Sequence, residues 1–191
     1  CIRDSDAAVA TGLALAVTYI DAGNIGGGGF MTIKMDDEIA FIDYREKAPK
    51  AAHKDMYLDQ DGNVVEYSTL IGGQAAGVPG TVSGFWKAHQ RFGKLPWKEL
   101  VEPAIKLAEE GFFPAKILVD DIQGMRDWFK NKTNFEQYFL HIDTKKKFKQ
   151  PELAETLRRI AEFGAEDFYF GKTAELIVEQ MKKSNGLITM E

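Results

Sequence analysis

With a single cysteine, the 191-residue chain cannot close an internal disulfide. This excludes a disulfide-stapled secreted miniprotein and leaves the compartment open. The chain also lacks positive charge in excess: 24 Lys+Arg stand against 29 Asp+Glu, a net charge of -5. Phosphate-backbone binding needs clustered cations, so no nucleic-acid partner is expected. The longest apolar run, Ala7 to Ile20, is bracketed by Asp6 and Asp21 and falls short of the about 20 residues that a membrane span requires. Its flank carries Arg3 against Asp4 and Asp6, which is not the positive approach of a signal peptide. His53, His89 and His141 are far apart, no HExxH occurs and Cys1 has no CxxC partner, so a sequence-local metal site is missing. His53 and His89 read as exposed residues of a loop and a helix. There is no GxSxG elbow, no internal repeat and no linker.

What is present suits a globular domain: 45% apolar, 28% charged and 12% aromatic residues. Asp6 is placed to N-cap a core helix over 6–19, apolar almost all round and therefore expected to be covered on every side. A glycine-rich loop and an antiparallel hairpin follow over 22–45, with Phe30 to Lys34 and Ile39 to Arg45 joined by the acidic turn Asp36-Asp37-Glu38. Asp59 to Asn63 is a further turn, and Gly72-Gly73 with Gly77-Val78-Pro79-Gly80 marks a bend before a helix. The region 79–183 reads as helical. One helix is expected from about Thr81 to Phe92, closed by Gly93, and two short ones at Trp97 to Leu100 and Pro103 to Glu110, with Pro103 opening the second. Leu118, Ile122, Met125 and Phe129 recur at steps of four, three and four, so an amphipathic helix is expected over Pro114 to Phe129, and two more follow Pro151 and Gly171. Between them Asn131 to Lys149, with Lys145-Lys146-Lys147, reads as a solvated loop.

Three features are candidates for chemistry. The tract Gly26-Gly27-Gly28-Gly29 fits neither GxGxxG nor GxxxxGK[ST], so it is no nucleotide motif. It still requires either another backbone or a ligand to approach the main chain closely. Cys1 would be a nucleophile if its own amine served as base, or else it is only the first residue. Arg45, at the end of an apolar strand, can offer a planar fork to a carboxylate or pair with Asp43 or Glu46.

The segments Asp6-Ala7-Ala8-Val9-Ala10, Ala22-Gly23-Asn24-Ile25-Gly26-Gly27-Gly28-Gly29-Phe30, Asp43-Tyr44-Arg45-Glu46-Lys47-Ala48-Pro49, Ala76-Gly77-Val78-Pro79-Gly80-Thr81-Val82, Pro103-Ala104-Ile105-Lys106-Leu107-Ala108 and Asn185-Gly186-Leu187-Ile188-Thr189 follow one another in family order. With them the chain resembles the large subunit of the γ-glutamyltranspeptidases, or glutathione hydrolases, of which it would be the N-terminal segment. Residues Cys1 to Ser5 do not match the family's glycine-rich approach, and Ile20 stands where many members have proline.

The resemblance implies an α+β chain that is an incomplete part of an Ntn-hydrolase αββα four-layer architecture. It also implies a precursor that cuts itself before a threonine, which then attacks the γ-glutamyl amide of glutathione and passes the acyl group to water or an amino acid. That threonine belongs to a small subunit outside this chain, so no catalytic residue, metal or cofactor is expected here. Arg45, in the family's Arg-Glu-x-Ala-Pro motif, would bind the substrate α-carboxylate. The partners would be the small subunit, a γ-glutamyl donor and an amino-acid or peptide acceptor, and the location periplasmic or extracellular, with the signal region outside the chain. A non-catalytic glutamyl-binding module or orphan fragment of the same fold is the alternative.

Overall fold

The computed structural model describes residues 4–22 and 24–190, so Cys1 lies outside it. In chain order these residues form α1 (Asp4–Thr18), β1 (Phe30–Met35), β2 (Glu38–Asp43), a 3₁₀ turn (Gly73–Ala75), α2 (Thr81–Phe92), α3 (Trp97–Glu110), α4 (Lys116–Gly124), α5 (Arg126–Phe129), α6 (Phe135–Phe139), α7 (Pro151–Phe163), α8 (Ala165–Phe170) and α9 (Lys172–Lys183). The mixture of helix and strand is as expected. Among the described residues the strands make one two-stranded antiparallel sheet, with Phe30 opposite Asp43 and Met35 opposite Glu38.

The core is a helical stack. α3 lies between α1 and α7, and α2 packs on α1. Val9, Leu13 and Val17 of α1 meet Leu100 and Val101 of α3 and Leu157 and Ile160 of α7, all at 2% exposure or less. The Trp97 indole, buried in this layer, donates to the Ile160 carbonyl at 2.8 Å and ties α3 to α7. The hairpin adds Ile33 and Ala40 from one face, with Met31, Met35 and Ile42 beside them. Its other face, with Phe30, Ile39 and Phe41, is exposed. A second cluster, Leu118, Val119, Ile122, Ile142 and Phe148, lies under α4.

Several local expectations are overridden by packing. Asp6 does not cap α1, which among the described residues begins at Asp4. Its buried carboxylate instead accepts from the backbone N–H of Lys94 (3.1 Å) and Leu95 (3.2 Å), fastening the α2–α3 connection to α1. Nor is α1 covered all round, since Ala8, Thr11 and Leu15 form an open strip. Trp97 to Glu110 is one helix with Pro103 inside it. An interior proline costs roughly 3 kcal/mol, but Trp97, Leu100, Val101, Ala104, Ile105 and Ala108 make a continuous buried stripe. At about 1.5–3 kcal/mol for each large side chain buried, that stripe outweighs the lost bond.

The helix expected over Pro114 to Phe129 is broken at Met125. Gly124, a poor helix former, ends α4, and Met125 is half exposed although it sits on the predicted apolar stripe. The stretch 131–149 is only partly a solvated loop. Lys145, Lys146 and Lys147 are exposed, but α6 forms within it, and Phe148 bridges to Phe112 and is buried. Gly93 closes α2 as expected, though at φ -69°, because any Cβ there would lie 2.3 Å from the His89 ring.

Replacing Asp6 with Ala leaves two partly buried backbone N–H groups without their acceptor and is expected to destabilise the fold by about 1–3 kcal/mol. Asp6→Asn, which keeps one acceptor oxygen, should fall between the two. Urea unfolding midpoints of the three proteins check this; an Ala variant as stable as the parent refutes the fastening role.

Candidate functional site

The main chain around Arg45 is held from both sides. Past the end of β2 the ladder continues for one more pair, Tyr44 N–H to Gly29 O at 2.9 Å and Gly29 N–H to Tyr44 O at 3.3 Å. Three residues on, Lys47 pairs with Val78, with N–H to carbonyl distances of 3.1 and 2.7 Å. The third side is closed where Gly80 and Thr81 N–H both donate to the Gly27 carbonyl, at 2.8 and 3.0 Å. Segments 27–29, 44–47 and 78–81 are thus stitched together around Tyr44, Arg45 and Glu46.

Only glycine permits this spacing. A Cβ on Gly28 would lie 2.5 Å from the Tyr44 carbonyl oxygen and 2.9 Å from the Arg45 Cα, and one on Gly80 only 2.0 Å from that same oxygen. A Cβ on Gly84 would enter the Tyr44 ring at 2.3 Å. For the glycine tract the structure therefore shows close approach of another backbone. Tyr44 itself packs edge-on against Phe85, and burial pushes its phenol pKa up.

From this pinned segment the Arg45 side chain reaches into solvent, 63% exposed. Its backbone N–H donates to Asp43 Oδ1 at 3.0 Å, its Nε approaches Glu46 Oε2 at 3.4 Å, and its Cζ lies 5.6 Å from the Phe30 ring centroid. Of the two acidic neighbours only Glu46 pairs with the guanidinium, while Asp43 takes the backbone N–H; the Glu46 contact is a partly exposed pair, worth at most about 1 kcal/mol. Among the described residues the terminal guanidinium nitrogens make no hydrogen bond, so the planar edge that suits a carboxylate is available.

The histidines do not gather here. His53 and His141 are exposed. His89, expected to be exposed, is half-buried beside Trp86 and Trp97, with Nε2 2.8 Å from the Leu95 carbonyl and Nδ1 without a partner. Among the described residues no group of three or more His, Cys, Asp or Glu could hold a metal. Sequence reasoning missed two elements of the site. Gly77 to Gly80 read only as a bend before a helix, yet it forms one wall. Tyr169 of α8 carried no signal, yet its hydroxyl donates to Pro79 O at 3.0 Å and accepts from Ser83 N–H at 3.1 Å.

These features define a class: a mixed α and β protein in which glycine-paired main chain presents one arginine from the end of a hairpin. A family model described as Gamma-glutamyltranspeptidase matches residues 4–191, and the chain belongs to the gamma-glutamyltranspeptidase family. It is 57% identical over 184 residues to the glutathione hydrolase proenzyme of Pseudomonas aeruginosa, covering 96% of this chain and 33% of that protein. To the Escherichia coli glutathione hydrolase proenzyme it is 43% identical over 192 residues, covering 97% and 33%. It superposes on the gamma-glutamyltranspeptidase from Pseudomonas nitroreducens complexed with L-DON with a TM-score of 0.96 at 56% identity, over 98% of this chain and 56% of that one. For the Helicobacter pylori gamma-glutamyltranspeptidase the TM-score is 0.93 at 43% identity, over 98% and 56%. The chain spans about a third of the length of the curated relatives it matches.

Glycine substitutions separate the cradle from ordinary positions. Gly80→Ala, which must displace the Tyr44 carbonyl, should destabilise by more than about 2 kcal/mol. Gly124→Ala, helical and with nothing within 4 Å of its Cβ position, should stabilise by roughly 0.5–1 kcal/mol. Thermal unfolding of both variants tests the pair; equal effects would contradict the packing described.

Proposed function

We propose that this chain is the arginine-bearing part of a γ-glutamyl transferase and hydrolase that cleaves the γ-glutamyl amide of glutathione and related compounds. The observation that carries the reading is Arg45: an exposed planar fork on a glycine-pinned segment, within the Arg-Glu-x-Ala-Pro motif. A γ-glutamyl donor must be held by its amino-acid head while the other half varies. A bidentate arginine on the α-carboxylate does this and fixes the γ-carbonyl relative to an attacking group.

The nucleophile in this reading is a threonine freed as the N-terminus of a small subunit when the precursor cuts itself. Its α-amine takes the hydroxyl proton as oxygen attacks the γ-carbonyl, and the departing amine receives a proton as the γ-glutamyl ester forms. Water or an amino acid then displaces the ester and regenerates the hydroxyl. The chain contributes substrate anchoring, and the small subunit contributes the nucleophile, the oxyanion contacts and the rest of an αββα four-layer fold. The exposed Phe30, Ile39 and Phe41 face of the hairpin and the Leu15 strip of α1 are surfaces that such a completion would cover. No helix among the described residues is long and apolar enough to cross a membrane, and the reading places the enzyme in the periplasm or outside the cell.

In the full-length protein Arg45→Ala should weaken γ-glutamyl donor binding by roughly two orders of magnitude, from the loss of charge-assisted bonds of about 1.5–3 kcal/mol each. Arg45→Lys should recover part of this, since it keeps the charge but not the fork. Self-cleavage, which uses no α-carboxylate, should persist in both. Donor kinetics with processing followed on a gel decide the matter: normal maturation with unchanged KM and kcat in the Ala variant would reduce Arg45 to a surface residue.

By the same reading, the purified 191-residue chain alone should release no chromogenic amine from a γ-glutamyl anilide. Release proportional to its concentration would point to a nucleophile within the chain, with Cys1→Ala as the control.

A further inference from the structure

We propose that Tyr169 is a positioning residue for Arg45, acting through the 78–81 segment, and so contributes to the recognition of the donor α-carboxylate. The inference rests on the carboxylate-anchoring reading of Arg45 and deepens it.

Arg45 has no rigid neighbour of its own at its tip; its direction comes from the main chain beneath it. One wall of that main chain is the turn into α2, and the turn has two loose ends. Pro79 supplies a carbonyl but no N–H, and Ser83 lies in the first turn of α2, where N–H groups have no partner within the helix. The Tyr169 hydroxyl engages both, donating to Pro79 O at 3.0 Å and accepting from Ser83 N–H at 3.1 Å. Between these two points sit Gly80 and Thr81, whose N–H groups hold the Gly27 carbonyl, and one residue before Pro79 is Val78, paired with Lys47. A single phenol therefore bolts the turn that presses on Tyr44, Arg45 and Glu46.

The post carrying the bolt is itself fixed. Phe168 beside it is buried in the main core. Asp167, also buried, accepts from Lys172 N–H at 3.0 Å, bonds the Thr173 hydroxyl and lies 3.4 Å from Arg159 Nε. Gly164, at φ +64°, lets the α7–α8 corner close onto the Trp86 ring. Burial pushes the Tyr169 phenol pKa up, against the lowering effect of the Ser83 N–H bond, so the hydroxyl keeps the proton that it gives to Pro79.

The test is made on the full-length protein with two donors: a γ-glutamyl anilide and the 4-aminobutanoyl anilide, which is the same donor without its α-carboxylate. The readout is the ratio of kcat/KM for the two. Because both are measured on one preparation, a partly inactive variant does not distort the ratio.

Tyr169→Phe, which removes only the hydroxyl, should raise KM for the γ-glutamyl donor roughly five- to tenfold with kcat within about twofold, the pattern of lost uniform binding. The aminobutanoyl donor should be unaffected, so the ratio falls by the same factor. Arg45→Ala should bring the ratio near one, and adding Tyr169→Phe to it should change nothing further.

A Phe variant that slows both donors equally, that leaves the ratio at the parent value, or that loses the fold outright overturns the positioning role while Arg45 keeps its own. A parent protein that does not discriminate between the donors, or whose ratio survives Arg45→Ala, overturns the carboxylate-anchoring reading and the Tyr169 proposal with it.

Discussion

Three strips of main chain, 27–29, 44–47 and 78–81, lie close enough to hydrogen-bond only because no side chain stands between them. At Gly28 and Gly80 a single methyl group would collide with the Tyr44 carbonyl. The rest of the arrangement follows from that contact distance. The hairpin can extend its ladder past β2, the turn into α2 can rest on Tyr44, and Arg45 leaves the surface from a backbone fixed at both ends. Placing the constraint in the backbone has a clear consequence: the arginine is aimed while its side chain remains free of strong partners. A buried ion pair would also hold an arginine still, but it would occupy the fork and carry a desolvation cost.

Behind this cradle the helical stack acts as a stiff support. α3 supplies it, gripped by α1 and α7 with apolar side chains at almost zero exposure. Packing of this density does not deform continuously, so the elements it anchors keep their relative places. Two polar contacts link the support to the site. Asp6 secures the α2–α3 connection from within α1, and Tyr169 secures the opposite end of α2 from α8. α2 is therefore fastened at both termini, and it is the element that carries Gly84 against the Tyr44 ring.

The surface is less complete than the core. A face of the hairpin and a strip of α1 leave Phe30, Ile39, Phe41 and Leu15 in water, whereas the internal faces of the same elements are well covered. Isolated apolar residues at a surface mean little, but Phe30 and Phe41 stack on each other at 5.8 Å on the exposed face of the hairpin. That face is one of the surfaces that the proposed completion by a small subunit would cover.

The sequence by itself determined those features that depend on near neighbours. Two β-rich runs around the acidic turn Asp36-Asp37-Glu38 marked both strands, Gly93 marked the end of α2, and Arg45 was legible because it follows an apolar strand within a recognisable motif. The glycine tract was legible as a place of close approach, but not what approached it, since the partners at 44–46 and 80 are brought there by folding. Tertiary structure alone decided the rest. Pro103 stays inside α3 because the buried stripe around it is worth more than one backbone bond. Met125 is left out of a helix whose periodicity includes it, because Gly124 weakens the join and the core takes Leu118, Val119 and Ile122 but not Met125. Asp6 reads locally as a cap, yet it serves N–H groups 88 and 89 residues away. Tyr169 had no pattern to betray it, since a hydroxyl that reaches Pro79 and Ser83 is set by how α8 lies on α2, a long-range packing that no local spacing encodes.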